Sequence, residues 1–175
     1  MKTALLSLFA VSAMLLSVRA ADVTVKLTDV HLCCQSCVKG VSAALTDVKG
    51  VTATADQDEN TVTLVAADKA TVQKAVDALV KAGFYGKTTD ADIKIVNETG
   101  AKNQKVQSLT VEGVHLCCGK CVKAVNTLLG SVNGVKANTA AKGVKSFTVT
   151  GDFNDKDVFD ALEKAGLAGH VAPAQ

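Results

Sequence analysis

Val23, Val25 and Leu27 alternate with Thr24, Lys26 and Thr28, the period-two pattern of a strand with one buried face. The period then changes. Val38, Val41, Leu45 and Val48 recur at helical spacing, and Lys49 and Gly50 follow where a helix stops. Residues 51–55 and 61–65 return to strand-like composition, joined by the polar run Asp-Gln-Asp-Glu-Asn at 56–60. Asp68 is placed to cap a second helix carrying Val72, Val76 and Leu79 and ending at Gly83. Residues 84–88 predict a last strand.

The same series recurs 84 residues later. Val25, Leu27 and Val30 fall on Leu109, Val111 and Val114, and the helical stripe falls on Val122, Val125, Leu129 and Val132. Asp-Ala-Leu-Val-Lys-Ala-Gly-Phe at 77–84 answers Asp-Ala-Leu-Glu-Lys-Ala-Gly-Leu at 160–167, with the shift reduced to 83. In the second copy the hairpin turn is predicted near Lys142-Gly143, and Asn154 caps the second helix. A repeat this long contains several elements, so each copy is a domain. The order β-α-β-β-α-β predicts an α+β fold of two ferredoxin-like sandwich domains in tandem. Their expected spans are 21–96 and 106–172, with the polar stretch 97–105 as linker.

Residues 1–20 read as a secretory signal peptide. Lys2 opens them, residues 4–18 are apolar, and Val18 and Ala20 are small residues placed for a cut before Ala21. The run is short of the roughly 20 apolar residues a membrane span needs, so the mature chain is expected to lack a span. It would be exported to a periplasm, cell surface or extracellular space. Lys2 and Arg19 leave with the segment, and 17 basic residues then face 17 acidic ones. Arg19 is the sole arginine. A mature chain without arginine or net positive charge argues against nucleic-acid binding.

All six cysteines fall in two stretches, His-Leu-Cys-Cys-Gln-Ser-Cys at 31–37 and His-Leu-Cys-Cys-Gly-Lys-Cys at 115–121. Each lies where a strand ends and a helix begins, where unpartnered amides and the helix dipole favour a thiolate. Cys34 with Cys37, and Cys118 with Cys121, are spaced C-x-x-C and can direct two sulfurs at a common centre. Such a pair suits a soft ion, Cu(I) with two thiolates or Zn(II) if more ligands join.

Within this element order the motif resembles that of the heavy-metal-associated (HMA) domain family. That family includes copper chaperones and the periplasmic mercury-binding protein. Its G-M-x-C-x-x-C pattern places His31 and His115 at the Gly, Leu32 and Leu116 at the Met, and Cys33 and Cys117 at the free position. The resemblance implies metal ligation by Cys34, Cys37, Cys118 and Cys121, and transfer to or from a thiol-containing donor or acceptor protein. Leu32 and Leu116 keep apolar packing without a thioether. The added Cys33 and Cys117 resemble a paired-cysteine variant seen in some zinc-transporting ATPases. Three thiolates with His31 or His115 can complete a four-ligand zinc site, whereas two alone suit Cu(I) or Hg(II). Strand alternation directs His31 towards the outer side of its loop, and Phe84 and Leu167 are expected as packing at the core edge.

The expected function is therefore non-enzymatic binding of soft metal ions, one per domain, for sequestration or transfer. The rival is a disulfide-stabilised structural or thiol-redox protein, since unprotected thiols oxidise outside the cytosol. C-x-x-C closes too short a loop to constrain an unfolded chain strongly. A redox enzyme would also want a partner base or proline loop, and the one proline is Pro173.

Overall fold

A computed structural model describes residues 21–173, so the signal-peptide reading of residues 1–20 lies outside the described residues. The first domain contains β1 (Val23–Leu27), α1 (Gln35–Ala44), β2 (Val51–Asp56), β3 (Thr61–Ala66) and α2 (Lys69–Lys81). The second contains β4 (Lys105–Glu112), α3 (Gly119–Ser131), β5 (Val135–Asn138), β6 (Ser146–Asn154), α4 (Asp155–Lys164) and β7 (His170–Val171). The architecture is α+β, two antiparallel sheets each carrying two helices. Among the described residues no helix is long and apolar enough to cross a membrane.

Alternation places the cores as expected. Val25 and Leu27 of β1 and Val62 and Leu64 of β3 point inward, and Val72, Val76 and Leu79 of α2 cover them. In the second domain Leu109, Val111, Phe147 and Val149 meet Val125, Leu129, Val158 and Leu162. The helix starts follow the sequence too. Asp68 accepts a 2.7 Å bond from the Thr71 amide, and Asn154 accepts one of 2.9 Å from Lys156. Such caps satisfy first-turn amides that have no partner within the helix.

The second sheet runs β5-β6-β4-β7 with both central strands antiparallel to their neighbours, the ferredoxin-like order. The first sheet runs β1-β3-β2, and the strand predicted at 84–88 is not there. Only Lys87 pairs with Thr28 on the edge of β1. Phe84, at the other end of the segment, pairs with Leu167 of the second domain instead. Within 84–88 the Phe84 amide returns to Leu79 of its own helix, the Tyr85 amide goes to the second domain, and Lys87 alone exchanges both of its bonds with Thr28, so the predicted strand is reduced to a single bridge.

That pairing joins the domains. Tyr85 donates to the Gly166 carbonyl and Ala168 to the Gly83 carbonyl, both at 3.0 Å. The two bonds correspond through the 83-residue shift, so the domains meet about a near two-fold axis. The His31 amide adds a 3.2 Å bond to Gly166. Gly83 and Gly166 both have positive φ, +91° and +77°. A Cβ on Gly83 would collide with the Gly113 carbonyl, and one on Gly166 with the Asp29 carbonyl. Both conditions admit only glycine. Phe84 and Leu167 are 2% and 0% exposed, so the expected core-edge packing takes the form of a contact between domains.

Residues 97–105 do not run free between the domains. Val171 donates to the Thr99 carbonyl at 2.8 Å, and the amides of Lys102 and Gln104 donate to the Asp155 carboxylate, each at 2.8 Å.

Candidate metal centre

The near two-fold docking brings the cysteine loops together. Cys34 is the N-cap of α1 and Cys118 the N-cap of α3, and neither side chain bonds to its own helix as a cap. Two helix N-termini thus converge on one place and bring their first-turn amides and partial positive charge to it. Within each motif, Cys33 and Cys34 lie 3.8 Å from Cys37, and Cys117 and Cys118 lie 3.7 Å from Cys121, measured between sulfurs. Between motifs the sulfurs are as near: Cys33 to Cys121 3.3 Å, Cys33 to Cys118 3.5 Å and Cys34 to Cys118 3.6 Å. Cys37 lies 3.5 Å from Cys117 and 3.9 Å from Cys121, and Cys34 3.7 Å from Cys117. The motifs do not form two separated sites. Six sulfurs form one cluster.

All six cysteines are free thiols, with Cys37 and Cys121 buried and the other four half-buried. The separations are well beyond the 2.05 Å of a disulfide. They match the sulfur spacing around a soft ion: with metal–sulfur bonds of about 2.3 Å, sulfurs lie about 3.8 Å apart in a tetrahedron and about 4.0 Å apart in a trigonal plane. A linear two-thiolate ion would instead hold them about 4.6 Å apart.

The histidines share a place in the sequence but not in the structure. A ring nitrogen of His31 lies within 4.8 Å of the sulfurs of Cys33 and Cys121. His31 therefore does not face outward, as strand alternation suggested. Its loop is covered by the second domain, and its Nε2 is buried without a hydrogen-bond partner. His115, whose Nε2 is likewise buried without a hydrogen-bond partner, is held by different neighbours. It stacks on Phe84 with ring centroids 4.5 Å apart and lies over Gly40, where a Cβ would come within 2.7 Å of its Cε1. The position corresponding to Gly40 in the second domain is Ala124, so the same seat is not offered to His31. Burial holds the His115 imidazole below its ordinary pKa and hence neutral.

Burial and crowding make the thiols unequal. Burial, reinforced by bonds to Cys121 and Cys118, pushes Cys33 well above the ordinary thiol range. The bond to Cys121, with burial behind it, does the same to Cys37. Burial pushes Cys117 up to about 12. Cys121 accepts from Cys37 and is lowered to about 2, so this central pair shares one proton as thiol and thiolate. At Cys34 burial opposes ionisation, but the amides of Cys37 and Ser36 and the thiol of Cys118 outweigh it, and the value falls to about 6. Uncompensated, six adjacent thiolates would repel one another. Positive ions among them remove that cost.

Sequence reasoning found every cysteine but missed what assembles them. Gly83, Gly166, Phe84 and Gly40 carry the assembly. The one signal available was Lys-Ala-Gly in both copies, which read as a helix stop. Lys120 was missed as well; its Nζ donates to the Cys33 carbonyl at 3.5 Å, bringing a cation beside the opposite loop.

No family model and no curated protein matches the chain. Among solved structures it is similar to a copper binding domain from HMA7, a P-type ATPase. That match has 22% identity and TM-score 0.36, and covers 39% of this chain and 96% of that one. It is also similar to the N-terminal soluble domains of Bacillus subtilis CopA (17% identity, TM-score 0.32, covering 89% and 97%). A third likeness is to the water soluble region of P-type ATPase CopA from Bacillus subtilis (20% identity, TM-score 0.29, covering 87% and 92%). At these identities and overlaps such structures decide nothing about this chain's chemistry, which rests on its own cluster.

Proposed function

We propose that the protein is an exported, non-catalytic binder of soft metal ions, and that its two domains form one shared thiolate site. The observation that carries this reading is the convergence of all six thiols, from both domains, to 3.3–3.9 Å spacings. Three or more sulfurs around each ion favour Cu(I) or Zn(II) over a linear two-sulfur Hg(II) site. Cys33 and Cys117 then act as ligands alongside Cys34, Cys37, Cys118 and Cys121. His31 is a further donor from the first motif, whereas His115 supports the wall of the site.

The site is open enough to exchange ions. A cleft lined by Ala82, His115, Leu116 and Lys145 leads to Cys117, and a second, lined by Asp29, Asn60 and Lys164, leads to His31. An incoming thiolate from a donor or acceptor protein can reach a half-buried sulfur and displace it step by step. The test is native mass spectrometry of the reduced chain under anaerobic titration with Cu(I) and, separately, Zn(II). Tight retention that is lost when Cys34 and Cys118 are changed to serine supports the reading. Failure to retain either ion refutes it.

A further inference from the structure

The arrangement of the six sulfurs is more specific than a cluster. Besides the ten separations above, Cys33 and Cys34 share a group within 4.8 Å, and so do Cys117 and Cys118. Three pairs are not among these contacts: Cys33 with Cys117, Cys34 with Cys121, and Cys37 with Cys118. Each cysteine appears in one of them. Six points that divide into three opposed pairs, all other pairs being close, are the corners of an octahedron.

Two tetrahedral ions sharing an edge, as six thiolates would hold two Zn(II), require a different figure. Two sulfurs at one end would be remote from both sulfurs at the other, so terminal sulfurs would each have two distant partners. That is not found. An octahedron of sulfurs instead offers triangular faces, which suit an ion with three ligands. Four alternate faces use every sulfur twice. One is Cys33, Cys34 and Cys118, another is Cys34, Cys37 and Cys117, and a third is Cys117, Cys118 and Cys121. The last is Cys33, Cys37 and Cys121, with edges of 3.8, 3.3 and 3.9 Å.

Resting on the metal-binding reading, we infer that the site takes four Cu(I) ions as a single cluster, one on each alternate face, with every cysteine bridging two ions. Loading is ligand exchange without change of oxidation state: four Cu(I) bind six sulfurs as thiolates, and the protons that the sulfurs still carry leave to solvent. The product carries two negative charges. The two helix N-termini that meet at Cys34 and Cys118 and the ammonium of Lys120 stand where that charge develops. Trigonal bonds of about 2.3 Å set sulfurs about 4.0 Å apart, so the cluster expands by a few tenths of an ångström on filling. On the last face His31 lies beside the Cys33–Cys121 edge and gives that one ion an added nitrogen donor.

The experiment is anaerobic native mass spectrometry of the reduced chain with sub-stoichiometric Cu(I), followed by copper-edge X-ray absorption on the loaded protein. A species with four copper ions is expected to dominate beside unloaded chain, with little carrying one to three. Absorption is expected to show sulfur ligands and copper–copper scattering at about 2.7 Å, the face-to-face distance of such an octahedron. Cys33→Ser removes a sulfur shared by two faces at a half-buried position and should lower the count to two. Copper that binds but stops at one or two ions, fills stepwise without copper–copper scattering, or still reaches four in Cys33→Ser overturns the cluster while leaving the metal-binding reading intact. No copper and no zinc retained removes both.

Discussion

Gly166→Ala perturbs the smallest number of atoms on which the shared site depends. The new Cβ would fall on the Asp29 carbonyl and 2.5 Å from the His31 amide, at a φ of +77°. The left-handed conformation alone costs an alanine about 1–2 kcal/mol. Relieving the collision moves Gly166 away from both amides that bond to its carbonyl, His31 at 3.2 Å and Tyr85 at 3.0 Å. Each is worth about 1 kcal/mol net. The left-handed cost falls on the end of α4 in either state, so the docked arrangement should weaken by about 2 kcal/mol relative to separated domains, roughly thirtyfold in the equilibrium. Each domain keeps its own core, so circular dichroism should change little. Mild oxidation of metal-free protein, read by peptide mass mapping, should show the loss. Cys33 and Cys121, 3.3 Å apart in the native chain, should cross-link far less readily in the variant, and pairs within one motif should replace them. Gly130→Ala is the control: nothing lies within 4 Å of a Cβ there, and a helix interior gains about 0.5–1 kcal/mol from the change. Unchanged cross-linking between domains in Gly166→Ala would refute the claim that this glycine holds the site together.

In metal-free protein Cys34 should alkylate before the other half-buried thiols Cys33 and Cys117, at a rate that rises through pH about 6, because the thiolate is the nucleophile and its pKa lies there. Cys33, pushed up by burial, should lag at every pH below 9; equal rates by mass spectrometry would contradict the asymmetry. Asp155, 5% exposed, is opposed by burial but held below the ordinary carboxylate range by the amides of Lys102 and Gln104. A depressed folded pKa gives stability that is complete above about pH 4 and lost as pH falls through the folded value. Asp155→Ala should cost about 2–4 kcal/mol by urea denaturation near neutral pH, since two amides lose a charged acceptor, and should flatten the acid limb of stability against pH. Gly40→Ala should displace His115 from its seat on Phe84, visible as a shift of the His115 ring resonances; unshifted resonances would contradict the seat.

Strand and helix positions were legible in the sequence because each depends on local pattern: Val25 and Leu27 alternate, Val72, Val76 and Leu79 repeat at helical spacing, and Asp68 and Asn154 cap. The place of the cysteines at a strand-to-helix junction was legible for the same reason. Residues 84–88 were misread because their composition suits a strand while their bonds are divided between β1 and the other domain. His31 was misread because alternation reports the two faces of an isolated strand and says nothing of what later covers one of them.

The sequence by itself determined two like domains and six thiols placed at helix N-termini, since a repeat and a spacing are properties of the chain. Only the tertiary structure decided that the six thiols are one site, and that His31 and His115 have different work. Those outcomes depend on backbone approach at Gly83 and Gly166, between residues at least 30 positions apart, and on the absence of a Cβ at Gly40. Periodicity records which face of an element is apolar; it carries no information on which two backbones can come within van der Waals contact.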